Sequence, residues 1–308
     1  MKKNKDVKYL ILLLSVAVIW GFGFLSTTWA LQEGFTVVMF NILRFGASAV
    51  VLGVVFFKQI SKLTLKQVGY GALTAVLLVA GFWFQTAALG SADASTANIS
   101  LFTASGVVMV PFFCWIIKRK KPSLNVFIAA ILAFLSALCI NLNGEFGHFS
   151  KGDLLALASA ACFGLHYVVL DFTSKKVEKG ALTFLQMAFA TVGFAIVGLI
   201  FSPSDFTLSG VSAAGWGWMA EIVVLGTVFA YIVQTFAQNS VSPAYASVML
   251  SAEGIFGSIF SLAFGMISFS WWIAAGTVFM AAAVVLTEGV RLKKPKEISS
   301  DTDTKQEN

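Results

Sequence analysis

Long apolar stretches alternate with short polar connections along the whole chain. A membrane-spanning helix needs roughly 20 apolar residues, because an α-helix rises about 1.5 Å per residue and the hydrocarbon layer is about 30 Å thick. The chain offers ten such stretches, at residues 9–28, 36–57, 68–90, 95–117, 125–142, 153–171, 182–201, 214–236, 243–264 and 270–289. They predict an all-α integral membrane protein of ten transmembrane helices, since barrel strands would be shorter and would alternate apolar with polar residues.

The composition agrees with a chain that lies mostly in a bilayer. Hydrophobic residues make up 58% of it and charged residues 12%, with a mean hydropathy of +0.85. Soluble domains carry about a quarter charged residues. The connections leave no room for a soluble catalytic domain, and the first stretch lacks the features of a cleaved signal peptide.

Basic residues predict the orientation of the chain. Nineteen of the 21 Lys and Arg residues lie before the first stretch, after the last, or in three even-numbered connections, 58–66, 118–121 and 175–179. Lysine and arginine near membrane helices stay on the cytoplasmic side. We therefore expect a multi-pass protein of the cell membrane with both termini cytoplasmic, and we do not take the net charge of +6 as a sign of nucleic-acid binding.

Two alignments within the chain indicate an internal duplication. Leu12–Phe24 aligns with Leu155–Tyr167 at an offset of 143 residues, and Gln85–Leu101 aligns with Gln234–Leu250 at an offset of 149. A repeat of five helices has an odd number of spans, so its second copy must enter the membrane from the opposite side. Inverted repeats are a recurrent plan of secondary transporters, whose substrate site lies near the midplane between the copies.

The duplication and the charges predict five segments. They are a cytoplasmic N-terminus (1–8), a first five-helix repeat (9–142), an extracellular linker (143–152), a second five-helix repeat (153–290) and a polar, disordered cytoplasmic tail (291–308).

Several short motifs carry a family resemblance. The first helix contains Trp20–Phe24 (WGFGF), the second Leu43–Phe45 (LRF), and the fourth contains Pro111 ahead of a basic turn and Lys121–Ser123 (KPS); Ala252–Gly254 (AEG) occupies the ninth. With these motifs the chain resembles the drug/metabolite transporter superfamily, specifically the EamA-type exporters, over residues 9–290. The resemblance implies ten helices, a central cavity and export of amino acids or related metabolites.

Four ionisable side chains fall inside the apolar stretches: Arg44, His166, Glu221 and Glu253. Such groups cost a few kcal/mol or more in a bilayer, so each is a candidate for function. Glu253 lies about ten residues, or roughly 15 Å, into the ninth helix. It could bind a cationic group or carry a proton, and His166 could relay protons. The alternative for both is a structural hydrogen bond.

Arg44 and Glu221 lie at similar depths in the second and eighth helices, so we expect a structural ion pair between them. Arg44 could instead hold a substrate carboxylate.

Uncharged side chains complete the predicted substrate site. Gln85 and Gln234 occupy equivalent positions of the two repeats, and Asn98 lies on the fourth helix. They could bind a zwitterion or form hydrogen bonds between helices. Aromatic side chains could line a cavity or face lipid. The predicted substrate-binding set is Trp20, Trp83, Gln85, Asn98, His166, Tyr231 and Glu253.

Other chemistries find no support in the sequence. It has no phosphate-binding glycine motif and no nucleophile–base pair in a loop, and its three cysteines, Cys114, Cys139 and Cys162, lack metal-ligand spacing. We expect no catalytic residues, no metal and no cofactor.

We therefore predict a secondary transporter, an exporter of small metabolites such as amino acids, that works by alternating access as a monomer or homodimer. Its transport could be proton-coupled or facilitated. Two alternatives stay open. An intramembrane lipid-modifying enzyme would need polar catalytic residues clustered on its loops, and a non-transporting membrane scaffold would not need Glu and His inside the membrane together.

Overall fold

The chain is described by a computed structural model over residues 2–91, 99, 102–103, 105–119, 121–142, 150–266 and 268–292. All regular structure in these residues is helical, with no strand. The α-helices are α1 (Lys2–Gln32), α2 (Val37–Val55), α3 (Phe57–Ile60), α4 (Leu65–Leu89), α5 (Gly106–Lys118), α6 (Leu124–Leu142), α7 (Lys151–Thr173), α8 (Lys179–Phe201), α9 (Ala213–Glu221), α10 (Ala230–Gln238), α11 (Pro243–Leu250), α12 (Glu253–Ala263) and α13 (Trp271–Leu292). A 3₁₀ turn (Pro203–Asp205) follows α8, and a π-helical stretch (Ile222–Phe229) joins α9 to α10.

Seven helical segments of the described chain are long and apolar enough to cross a membrane. They are Ile11–Gln32, Val37–Val55, Leu65–Leu89, Lys151–Thr173, Lys179–Phe201, Ala213–Gln238 and Pro243–Ala263. Three shorter apolar helices, Gly106–Lys118, Leu124–Cys139 and Trp271–Leu286, overlap the three remaining predicted stretches. The all-helical prediction is confirmed for the described residues, whereas ten spans, inverted repeats and the five predicted segments stay predictions. Residues 293–308 of the predicted tail lie outside the described residues.

Serine and threonine residues define where several helices begin. The Thr64 and Ser150 side chains each accept a hydrogen bond from the backbone three residues on, and Gln67 and Asp153 return the bond to complete a capping box. Such caps satisfy N–H groups that have no partner inside the helix. They fix the entry points of α4 and α7, two helices of the central bundle.

Two turns directly precede helix starts in the interior of the molecule. Ser251 and Ala252 form a turn between α11 and α12, so that Glu253 is the first residue of α12. In the first half, Ser105 lies in a turn directly before α5. The two turns fall at nearly corresponding places of the duplicated sequence, and each leaves a helix start in the interior of the molecule.

Glycines allow two pairs of helices to approach closely. A Cβ added to Gly21 of α1 would lie 2.7 Å from the Glu253 carbonyl oxygen and 2.7 Å from the Gly257 nitrogen of α12. A Cβ added to Gly106 of α5 would lie 2.8 Å from the Ala160 carbonyl oxygen of α7. Small residues at membrane helix crossings permit such backbone contact.

The lysine-rich side of the molecule is closed by polar contacts. Asp171 of α7 pairs with Lys118 of α5 at 2.5 Å and with Lys175 at 2.7 Å. The Gln67 amide donates a hydrogen bond to the Lys176 carbonyl at 3.2 Å. These contacts bring the connections around residues 66, 118 and 175 together, as the charge pattern predicts.

On the opposite side of the molecule, hydrogen bonds and ring contacts join the first half of the chain to the second half. The Ser212 hydroxyl donates a hydrogen bond to the Glu33 carboxylate at 2.5 Å, and the Thr36 hydroxyl donates one to the Asp205 carbonyl at 2.6 Å. Beside them, the Trp29 ring packs on Trp218 with centroids 4.7 Å apart.

Candidate functional site

A cavity lies among α1, α2, α4, α5, α7, α10, α11, α12 and the π-helical stretch. It encloses about 920 Å³ of space free of protein atoms, part of it open to the surroundings. Both charged and aromatic side chains line it, together with the two helix starts at Gly106 and Glu253. The predicted site residues among its lining are Trp20, Gln85, His166, Tyr231, Gln234 and Glu253, and Arg44 joins them.

Arg44 is held rigidly at the cavity wall. Its Nε donates a hydrogen bond to the Thr227 hydroxyl at 2.8 Å, and its Nη2 donates one to the Gly226 carbonyl at 3.5 Å. Its guanidinium carbon lies 4.5 Å from the centre of the Phe82 ring, within cation–π range. Both hydrogen-bond acceptors belong to the π-helical stretch, so this stretch positions the only arginine of the apolar stretches.

Glu253 contributes a carboxyl group to the lining of the same cavity. Its exposure is intermediate, and its carboxylate has no hydrogen bond or salt bridge within the described part of the chain. The carboxylate interacts electrostatically with the hydroxyl groups of Tyr167 and Tyr231. As the first residue of α12 it also lies at the positive end of a helix dipole, which favours a negative charge.

Tyr231 also lines the cavity. It interacts electrostatically with Arg44 and with Glu253, and its ring packs against Trp20 with centroids 5.6 Å apart. The Trp20 indole donates a hydrogen bond to the Gly226 carbonyl at 3.0 Å. Because these contacts fix both rings, the cavity has a preformed aromatic wall.

His166 faces the cavity from α7 and is almost fully buried. Its Nε2 lies 2.9 Å from the Gln186 Oε1 of α8, within hydrogen-bonding distance. Two turns away, the Ser159 hydroxyl donates a hydrogen bond to the Gly81 carbonyl at 2.9 Å. The His166 ring is therefore held in place by a neutral partner.

Two of the predicted residues, Trp83 and Glu221, are absent from the described lining of the cavity. Trp83 packs on Phe201 with ring centroids 6.4 Å apart. Asn98 lies outside the described residues. Glu221 interacts electrostatically with Arg44, but the two form no salt bridge within 4.0 Å, and Arg44 bonds to Thr227 and Gly226 instead. Direct pairing of Arg44 with Glu221 is therefore not seen in the described structure.

Several lining residues were missed by the sequence analysis. Ser247 and Ser251 lie one turn apart on α11, and Thr27 and Tyr167 line the cavity from α1 and α7. The spacing of the two serines, directly before Glu253, could have indicated a shared polar face. Nothing in the sequence marks Thr27 or Tyr167 as different from the other polar residues of their helices.

The arrangement is suited to binding a small molecule. Within the described residues, no three His, Cys, Asp or Glu side chains come together in a way that could hold a metal ion. Gln234 Oε1, which has no partner in the described structure, and the carboxyl oxygens of Glu253 can accept hydrogen bonds from a ligand, and the guanidinium of Arg44 supplies positive charge. Ligand pockets are commonly apolar with a few placed polar groups of this kind.

Comparison with known proteins agrees with this architecture. The model of the EamA-like transporter family matches the chain over two segments, residues 7–142 and 150–288. The chain belongs to the EamA-like transporter family. An uncharacterized transporter of Archaeoglobus fulgidus is 27% identical over 249 residues, which cover 80% of this chain and 75% of that protein.

A protein of known crystal structure has the same fold. It matches with a TM-score of 0.73 at 14% identity, over 94% of this chain and 99% of the other. As an EamA-like protein, the chain is a multi-pass membrane protein of a transporter family, whose substrates are small molecules. The predicted resemblance is confirmed.

Proposed function

We propose that this protein is a secondary transporter that exports small zwitterionic metabolites, in particular amino acids with apolar side chains, across the cytoplasmic membrane by alternating access. The observation that carries the proposal is the presence of the Arg44 guanidinium and the Glu253 carboxyl group in the lining of one cavity. Arg44 would bind the carboxylate of the substrate and Glu253 its ammonium group, while Trp20 and Tyr231 contact its apolar part.

Alternating access would rest on ten spans arranged as two inverted repeats. The close crossing of α1 with α12 and that of α7 with α5 involve corresponding helices of the two halves. The turns at Ser105 and Ser251 also correspond, and discontinuous helices at the midplane are typical of transporters with inverted repeats. These pairs support a pseudo-symmetric mechanism in which one crossing opens as the other closes.

The orientation follows the basic residues, with the lysine-rich side and both termini in the cytoplasm. Glu253 and His166 are the candidates for proton coupling, because they are the titratable carboxylate and imidazole at the cavity. Arg44 would serve both to hold the substrate and to stabilise the π-helical stretch.

Ligand binding to the purified protein tests the proposal, because a ligand that binds the folded state raises its melting temperature. Phenylalanine, phenethylamine and 3-phenylpropionate share an apolar body but differ in charge. We expect only phenylalanine to stabilise the protein strongly, and Glu253→Gln to remove most of the effect. Equal stabilisation by the amine alone would contradict a zwitterion site.

Transport itself requires counterflow of labelled phenylalanine in proteoliposomes. Uptake against empty-vesicle controls is expected with the wild-type chain. Binding without counterflow would favour a non-transporting scaffold, and covalent change of a lipid in the same vesicles would favour an intramembrane enzyme.

A further inference from the structure

Buried side chains beneath the cavity have hydrogen-bonding capacity that the described part of the protein leaves unused. These atoms are Gln186 Nε2 of α8 and, on α10, Gln234 Oε1, Thr235 Oγ1 and both amide atoms of Gln238. All four side chains are at most 1% exposed. A buried polar atom without a partner costs about 1–3 kcal/mol, so four such residues in neighbouring helices are unlikely to be retained for packing alone.

These residues follow a line from the cavity towards the lysine-rich side. Gln234 lines the cavity, and Gln238 lies one helical turn further along the same face of α10. The connection after Gln238 leads to Ala244, which packs with Cys114, one turn from Lys118. Gln238 is therefore close to the lysine-rich end of the molecule.

His166 of α7 and Gln186 of α8 add further polar groups next to the cavity. Gln186 lies seven residues into α8, and its Oε1 is engaged by His166 while its Nε2 is unpartnered. Helices α8 and α10 pack against each other around Tyr231 and Met187. Glutamine amides from two packed helices thus offer unused donors and acceptors next to His166 and Gln234, which line the cavity.

We propose that Gln186, Gln234, Thr235 and Gln238 form a second polar site that binds a chain of water molecules between the central cavity and the cytoplasm. Buried water makes about three hydrogen bonds, usually to buried polar groups that lack other partners. The site offers both donors and acceptors, and it carries no charge that would bind an ion in preference to water.

The placement of this site on the cytoplasmic side rests on the proposed orientation. If the proposed proton coupling is correct, the water chain is the cytoplasmic half of the route between Glu253 and the aqueous phase. The presence of water at the site depends on neither transport nor its direction.

X-ray radiolysis tests the site, because hydroxyl radicals formed from bound water oxidise the side chains beside it. Gln238→Met places an oxidisable side chain of similar size in the line, and native Met249 is a control that is fully buried in an apolar cluster. We expect the introduced methionine to be oxidised about tenfold faster than Met249, because oxidation follows access to water. Equal rates would overturn the proposal.

A second variant distinguishes water that is bound at the proposed site from water that enters because the helix bundle has loosened. Adding Gln186→Leu and Gln234→Leu to Gln238→Met removes the remaining glutamines and should bring the oxidation rate down to that of Met249. If the rate stays high, general loosening of the bundle admits the water and the proposed site is wrong.

A direct measurement covers the case in which these variants do not fold. A high-resolution crystal structure of the unmodified chain should contain ordered water within hydrogen-bond distance of the Gln238 amide, and an amide surrounded only by protein atoms would overturn the site. Counterflow is measured separately, so a protein with a hydrated site and no transport would contradict only the proposed function.

Discussion

The Nε of Arg44 donates a hydrogen bond of 2.8 Å to the hydroxyl of Thr227, which lies 183 residues further along the chain. The bond joins the second helix of one half to the π-helical stretch of the other. It also directs the guanidinium towards the cavity. A single side chain thus links the packing of the two halves to the charge of the binding site.

Arg44→Lys should lower the free energy of unfolding by about 2 kcal/mol, because a lysine cannot reproduce the donor geometry and hydrogen bonds of charged groups contribute about 1.5–3 kcal/mol. Thermal unfolding in detergent measures the change. Lys62→Ala, at an exposed position in the lysine-rich connection, is the matched control and should leave stability unchanged. Wild-type stability of Arg44→Lys would show that the contact to Thr227 is dispensable.

Gly21→Ala should destabilise the protein by about 1–3 kcal/mol, since the added methyl group meets backbone atoms of α12 and overpacking has costs of this size. Gly23→Ala, two residues on in the same helix, has open space at its Cβ. It should gain about 0.5–1 kcal/mol from helix propensity. The two melting temperatures should therefore move in opposite directions, and a shared direction would mean that the crossing is not tight.

Glu253→Gln should remove the pH dependence of transport while the protein still folds, because the amide keeps the shape of the side chain and cannot exchange a proton. Counterflow rates measured over a range of pH are the readout. Glu178→Gln changes an exposed carboxylate outside the cavity and should keep the wild-type profile. A wild-type profile in Glu253→Gln would exclude this carboxylate as the proton carrier.

Asp171→Asn should loosen the lysine-rich side, because it removes the ion pair that joins Lys118 of α5 to α7 and also the pair with Lys175 just after α7. Cys114, one turn before Lys118, reports the change. With Cys139 and Cys162 replaced by serine, N-ethylmaleimide should label Cys114 several-fold faster in Asp171→Asn and in Lys118→Ala. An unchanged labelling rate in both variants would mean that these pairs do not hold the side closed.

Single cysteines at Ser240 and Ser268, both exposed, should react with impermeant thiol reagents from opposite sides of the membrane. Ser240 follows α10 on the proposed cytoplasmic side, and Ser268 precedes α13 on the other. Labelling from the same side would contradict the inverted arrangement of the two repeats.

The apolar pattern was sufficient to predict the helices, and the ionisable residues within the apolar stretches pointed to His166 and Glu253 as site residues. Arg44, which was expected in an ion pair with Glu221, lines the cavity as well. The aromatic residues were harder to place. Trp20 and Trp83 both lie in apolar helices, and hydropathy does not distinguish a residue that lines a cavity from one that packs elsewhere. The spacing of apolar residues along a membrane helix does not show which face packs against protein, because lipid and the protein interior are equally apolar.

Other features depend on contacts between distant parts of the chain. Arg44 bonds to Thr227 rather than to Glu221 because the π-helical stretch brings a carbonyl and a hydroxyl towards it. The positions of the two turns were likewise not predicted. Their residues, Ser105 and Ser251, are not strong helix breakers, and serine occurs elsewhere in the same helices without a break.

The π-helical stretch also accommodates one extra residue in the middle of a span, because a π-turn holds one residue more than an α-turn. Deleting one residue between Ile222 and Phe229 would let the segment become continuous α-helix. Tyr231, Gln234 and Gln238 would keep their orientation, since the lost residue is the one that the wide turn holds in excess. The Gly226 carbonyl and the Thr227 hydroxyl would no longer be presented to Arg44, so a single missing codon could uncouple this arginine from the second half of the chain while leaving the span almost the same length.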